Sequence, residues 1–253
     1  MIKVGCCGWA VRGGKKAYYE KFKLIELQDT FYKLPRVETA EKWRKEAPSE
    51  FEFAVKGWQV LTHPHTSPTW RKAGLKDLPG ELRNYGHLKP TRENFEAWGR
   101  VKEICEALEA RVCVLQTPPN FGFSEDNVRS VQEFFGSIDR GGLIVGWEPR
   151  GTWREHLDAV EELCRDLKLV HVVDIFRVKP VTRGPIHYIR LHGIGPGEVN
   201  YRYKYSDEDL QQLRSWCLKL SKEGEVYVLF NNIFMAEDAT RFKEMLEERQ
   251  REN

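Results

Sequence analysis

The residues best suited to chemistry are Glu26, Lys56, Glu148, Arg150, Asp174, Arg190 and His192, each standing where a short apolar run gives way to a loop. Carboxylates and imidazoles move protons near neutral pH, and ammonium or guanidinium groups hold phosphate and carboxylate. Together they suit acid/base chemistry on an anionic substrate. In that reading Glu26 or Glu148 is the general base and His192 the acid or base. Asp174 is a further catalytic candidate, and Lys56, Arg150 and Arg190 grip the anion. Mixing acids and bases in one site would tune their proton affinities in opposite directions. Gln116, Asn231 and Asn232 would add neutral hydrogen bonds, and Trp9 a stacking wall.

Other readings of the same residues stay open. Charged side chains inside a barrel also serve as a paired, structural plug, because buried charges persist only when partnered. Glu26, Glu148, Asp174 and His192 could bind a divalent metal, although their spacing does not compel it and the neighbouring cations would already neutralise the carboxylates. No metal ligand is assigned and no cofactor is predicted. The stretch from His192 to Tyr205 reads HGIGPGEVNYRYKY. Its glycines would let backbone N–H groups approach an anion, and Tyr201, Tyr203 and Tyr205, interleaved with Arg202 and Lys204, could stack on bases. A solvated loop with its tyrosines packed on the rim is the plainer alternative. No Gly-x-Ser-x-Gly elbow supplies a serine nucleophile.

Positioning these groups falls to short β-branched or apolar runs at 2–9, 24–32, 52–58, 110–118, 143–150, 169–174, 186–193 and 225–232. Segments of helical period separate most of them, with start signals at Ser124 and Ser206 and a capping-box pattern at Thr152 and Glu155. Eight alternations predict an α/β (β/α)8 TIM barrel, whose sites lie at the carboxyl ends of the strands. An open doubly wound sheet is the alternative, weakened by the absence of a Gly-x-Gly-x-x-Gly turn or a P-loop. Strand alternation puts Arg190 with His192, and Glu148 with Arg150, on common faces. Residues 60–90, rich in Pro, Gly and His, are too long for a βα connection and predict an excursion over the barrel mouth. His63 and His65 read there as a rim pair, and 176–185 is too short and proline-marked for a full helix.

The 253 residues fit one such domain over 1–253, and 40 basic against 38 acidic side chains leave a net charge of +2. No global field therefore recruits nucleic acid or membrane. No apolar run of about 18 residues appears. The chain is expected to be cytoplasmic, with its six cysteines reduced in the core. Oligomeric state is not legible.

Particular words at the strand ends carry a resemblance: GCCGW at 5–9, ELQDTFYKLP at 26–35, FAVK at 53–56 with Thr62 and His63, QTPPNF at 116–121, EPR at 148–150 with Trp153, RLHG at 190–193 and YVLFNN at 227–232. With these the chain resembles the DUF72 family, also called YecE-like proteins, across essentially its whole length. The resemblance implies a TIM barrel and supplies no mechanism. Gln28 and Asp29, Cys6 and Cys7, and Pro149 depart from the family's usual words. An acid/base enzyme acting on a phosphorylated or otherwise anionic substrate is the reading the residues favour. A metal-dependent phosphodiesterase or nuclease resembling endonuclease IV is the first alternative. A non-catalytic protein binding an anionic metabolite or nucleic-acid fragment is the second.

Overall fold

A computed structural model describes residues 1–75 and 78–252. Eight parallel strands follow chain order around a closed barrel: β1 (Ile2–Cys7), β2 (Leu24–Leu27), β3 (Glu52–Lys56), β4 (Val112–Gln116), β5 (Ile144–Glu148), β6 (Val170–Val173), β7 (Ile186–Leu191) and β8 (Glu225–Phe230). The helices are α1 (Gly14–Lys21), α2 (Asp29–Tyr32), α3 (Val37–Glu46), α4 (Pro68–Ala73), α5 (Arg92–Ala107), α6 (Glu125–Ser137), α7 (Leu157–Asp166), α8 (Asp207–Leu220) and α9 (Met235–Glu252). None in the described residues is long and apolar enough to cross a membrane. The chain groups into two compact units, one of residues 1–26, 47–52 and 172 onward, the other of 27–46 and 53–171.

In the first unit β8 lies between β7 and β1, with Arg190 beside Leu229 and Val4 beside Val228. The strands are buried almost throughout, which is why they read as continuous apolar runs. Lys3 pairs with Glu225 at 2.7 Å and with Glu52, which also accepts from the Tyr227 hydroxyl. The expected cap of α8 forms: Ser206 accepts from the Asp209 N–H while the Asp209 carboxylate accepts from the Ser206 N–H. Leu210, Leu213 and Cys217 then face the interior at helical spacing, each leucine contributing roughly 1.5–3 kcal/mol on burial. Residues 174–185 join β6 to β7 without a helix.

In the second unit β3, β4 and β5 pair in register, ending with Gln116 beside Glu148. The excursion after β3 doubles back on itself. Its outgoing arm includes a 3-10 turn at Gln59–Leu61, and Gly86, His87 and Leu88 return to donate their N–H groups to the carbonyls of Val60, Thr62 and Leu61 at 2.7–3.0 Å. The Trp70 indole donates to the His63 carbonyl at 3.0 Å, and Asn94 at the start of α5 donates to the Lys89 carbonyl at 2.9 Å. Ser124 caps α6 as expected. The Thr152–Glu155 capping box does not form. A 3-10 turn occupies Gly151–Glu155, and the Thr152 hydroxyl accepts instead from the Phe123 N–H at 2.8 Å. Trp153 decides the outcome, since the turn buries its ring and lets its indole donate to the Phe121 carbonyl at 2.7 Å.

Candidate functional site

Within the first unit, Glu26 and Arg190 are both fully buried and form an ion pair at 2.9 Å. Glu26 also accepts from the Tyr188 hydroxyl at 2.8 Å and the Cys7 thiol at 3.5 Å. Burial, followed by the negative charge of Glu26, pushes the Tyr188 phenol well above its ordinary pKa, so it stays a donor. Buried charges persist only when partnered, and both groups of this pair have that partnership. Asp174 is committed to its own chain. It accepts from the Phe176 N–H at 3.1 Å and the His192 N–H at 3.0 Å, and Arg177 approaches it at 3.7 Å.

Arg177 extends this anchor into the loop after β7 by donating to the carbonyls of Gly193, at 2.8 Å, and Gly195, at 3.3 Å. Gly193 holds φ at 82°, and a Cβ there would stand 2.0 Å from the Asn200 carbonyl oxygen, so no other residue fits. The loop's tyrosines divide. Tyr203 donates to Asp209 at 2.6 Å, which raises its pKa to about 12, and Tyr205 is buried with its hydroxyl accepting from the Gly193 N–H at 2.8 Å. Tyr201 is exposed, its ring edge-on to His192 at 6.1 Å. His192 is buried, and its Nδ1 meets the Asn231 amide nitrogen at 3.2 Å. Asn232 instead donates to the Tyr203 carbonyl and to Asp238, at 2.8 and 2.7 Å. Trp9 packs edge-on to Tyr18 and Tyr19, with the Lys15 ammonium over its ring at 5.5 Å.

The second unit assembles a different group at the ends of β3, β4 and β5. The Lys56 ammonium lies 4.2 Å from the centre of the Phe31 ring, and the His63 ring meets the same ring edge-on at 5.0 Å. Thr30 fixes this corner by donating to the Leu27 and Lys56 carbonyls, at 2.8 and 2.7 Å. His63 is paired through Nδ1 with the Thr62 hydroxyl at 2.8 Å. Burial lowers its pKa to about 3, and the positive charges of Lys56, His87 and Arg150 add to the shift. His63 is therefore neutral at physiological pH. Burial likewise lowers the pKa of His87, whose ring lies against Phe121 at 5.4 Å.

Glu148 is buried at the end of β5, and one of its oxygens accepts from Arg150 through Nε at 2.9 Å and Nη2 at 2.5 Å. The Glu148 backbone carbonyl accepts from the Thr117 N–H at 3.1 Å, joining the QTPPNF and EPR segments. Gly151 completes that junction: φ is 70°, and a Cβ would lie 2.3 Å from the Pro119 carbonyl oxygen. Gln59 is fully buried, and neither amide atom meets a hydrogen-bond partner among the described residues. His87 and Gln59 were not among the sequence candidates, and His63 was assigned only to the rim. The returning arm sets His87 beside the outgoing arm that carries His63, a fold-back that periodicity does not encode. Among the described residues no three His, Cys, Asp or Glu side chains gather closely enough to hold a metal ion.

A parallel (β/α)8 barrel with charged residues at its strand ends defines the class. The chain belongs to the family described as protein of unknown function DUF72, whose sequence profile matches residues 3–253. It is 24% identical to the UPF0759 protein YunF of Bacillus subtilis (strain 168), covering 98% of this chain and 94% of that one. Among solved structures it is similar to a DUF72 family protein from Thermotoga maritima MSB8, with 25% identity, a TM-score of 0.72 and coverage of 98% and 99% of the two chains. A second, from Enterococcus faecalis V583, has 20% identity, a TM-score of 0.73 and 98% coverage of both chains. A D-allulose 3-epimerase from Methylomonas sp. shares the fold at 12% identity and a TM-score of 0.50, covering 98% and 97% of the two chains.

Proposed function

We propose that the protein is an enzyme acting by acid/base chemistry on a phosphorylated or otherwise anionic small molecule, held at the ends of β3 and β5. The observation that carries this reading is the packing of Lys56 and neutral His63 on one aromatic ring, with the charge of Arg150 close enough to act on His63. Lys56 and Arg150 bring two cationic side chains to the ends of β3 and β5, in a mostly buried region where their field is little screened. Ammonium and guanidinium groups placed there suit an anionic ligand. Glu148 is the proton acceptor in this assignment, oriented by Arg150, and His63 is the neutral partner that donates or accepts. Gln116, in register beside Glu148, orients the substrate.

Titration calorimetry with inorganic phosphate, followed by assay of a panel of phosphate esters, tests both halves of the reading. Lys56→Met should weaken phosphate binding about tenfold or more, since a hydrogen bond to a charged group contributes roughly 1.5–3 kcal/mol. Glu148→Gln should retain binding and lose about 10²–10⁴-fold in turnover. Phosphate affinity indifferent to Lys56 would remove the anion site. Turnover unchanged by Glu148→Gln would remove the catalytic assignment.

A further inference from the structure

The loop after β7 is built to hold its shape. Gly193 admits no other residue, the Asn200 N–H donates to the His192 carbonyl at 2.7 Å, and the Asn200 side chain donates to the Ile194 carbonyl at 2.8 Å. Arg177 and the buried Tyr205 hydroxyl add three more bonds. Two apolar side chains of this held loop nevertheless meet water, Val199 at 36% exposure and Tyr201 at 46%. Ile233, in the connection from β8 to α9, is 65% exposed and donates its N–H to the Tyr201 carbonyl at 2.8 Å, which sets the two loops side by side. Among the described residues Met1 is the one other large apolar side chain so exposed. Leaving such groups in water forgoes the stabilisation of burying them, and apolar side chains gathered in one place mark contact surfaces.

Cations flank the patch. Arg202 follows Tyr201 and is exposed. Lys204 stands 5.6 Å over the ring of Phe234, the neighbour of Ile233, and pairs with Glu237 at 2.6 Å. Glu237 in turn lines a groove with Val11 and Arg12 of the loop after β1. The connections leaving the carboxyl ends of β1, β7 and β8, residues 8–13, 192–206 and 231–234, hold three cations, Arg12, Arg202 and Lys204, and one carboxylate, Glu198. The near balance of charge over the whole chain hides this local composition.

Aliphatic side chains in water, bordered by cations, match a surface that is apolar within and negative at its edge. A nucleic-acid strand offers stacking rings and phosphates, and leaves Val199 and Ile233 nothing to enter. We infer that this end of the first unit docks on an anionic lipid surface, with Val199, Tyr201 and Ile233 entering the headgroup boundary and Arg12, Arg202 and Lys204 meeting the lipid phosphates. Tyrosine suits that depth, its ring being apolar and its hydroxyl polar. The inference is independent of the anion site proposed at β3 and β5.

Co-sedimentation of the full chain with vesicles of phosphatidylcholine alone, and of equal parts phosphatidylcholine and phosphatidylglycerol, tests it. Three cations at about fivefold each give about a hundredfold preference for the acidic vesicles, declining as salt is added. Ile233→Ser should weaken that binding about tenfold, the effect of one aliphatic side chain, and Arg202→Glu about tenfold or more. Both positions are exposed, so the urea midpoint of each variant should match the wild type. Lys222→Glu, exposed beyond the far end of α8, should leave binding unchanged. No preference for acidic vesicles overturns the inference, as does a preference that Lys222→Glu reduces as much as Arg202→Glu. Binding indifferent to Ile233→Ser also overturns it, since charge alone would then be at work. Tighter binding to a single-stranded oligonucleotide, lost in Arg202→Glu, would reassign the face to nucleic acid, and self-association abolished by Ile233→Ser would reassign it to a second copy; either result overturns the lipid surface.

Discussion

At the scale of the residue, Glu26 and Gln59 are opposite cases of a buried polar side chain. Glu26 has Arg190, Tyr188 and Cys7 around it, so removing one partner leaves a charge stranded in a dry interior. Arg190→Met should therefore cost about 3–5 kcal/mol of stability, and adding Glu26→Gln should recover part of the loss, because the stranded charge goes with it. Urea unfolding of the two single variants and the double variant decides the matter. A strictly additive cycle would show that the pair does not act as a unit. Gln59 carries the cost of an amide whose two polar atoms find no protein partner. Gln59→Leu should raise stability by about 1–3 kcal/mol, the burial penalty removed. A fall in the unfolding midpoint would mean that the amide is satisfied in solution. The chemical character of Glu26, Lys56, Glu148 and Arg190 was legible in the sequence from position and type. Which of them are consumed by partners was not, because Tyr188 is 162 positions from Glu26 and the pairing exists only once the strands are side by side.

At the scale of the element, the strands were legible and their connections less so. Fully buried strands announce themselves as apolar runs, and helix starts such as Ser124 and Ser206 follow local capping chemistry. Thr152 has the same local signature and a different outcome, since Trp153 gains more from burial than the helix gains from an early start. The excursion after β3 has the largest consequence, because its fold-back sets His87 beside the outgoing arm that carries His63. Its burial predicts a pH dependence. His63 and His171 have pKa values lowered to about 3 and about 4, in each case first by burial. The unfolded chain takes up their protons near pH 6.5, whereas the folded chain does so only at much lower pH. The unfolded state then binds more protons, so these two groups leave stability unchanged above about pH 6.5 and lower it as pH drops below that. Each histidine should remove about 2 kcal/mol by pH 5. Urea midpoints at pH 7 and pH 5 should show the loss, and His63→Gln should flatten the slope. A wild-type midpoint unchanged between those pH values would contradict the burial of both rings.

At the scale of the whole molecule, chain length and eight alternating elements pointed to the barrel, because these are sums over many residues and survive local exceptions. The same averaging hid the site, which depends on a few long-range placements. The cysteines belong to the legible part: they fall mostly in apolar patterns, and all six are free and buried. Burial pushes the Cys6, Cys164 and Cys217 thiols up to about 12, and the thiolate is the reactive form. Cys105 and Cys113 add a thiol–thiol hydrogen bond that holds the Cys105 proton still more firmly. The native protein should thus show no thiol reacting with Ellman's reagent on the time scale of free cysteine at pH 8, and all six after guanidinium unfolding. Because reaction requires opening, its rate in the native state reads the opening equilibrium of the element that carries each cysteine. Mass mapping of the labelled positions identifies those elements. Cys6 and Cys7 on β1, which pairs with both β2 and β8, should label among the last. Rapid labelling of either would mean that β1 opens locally, and the buried surroundings of Glu26 would then be open to water as well.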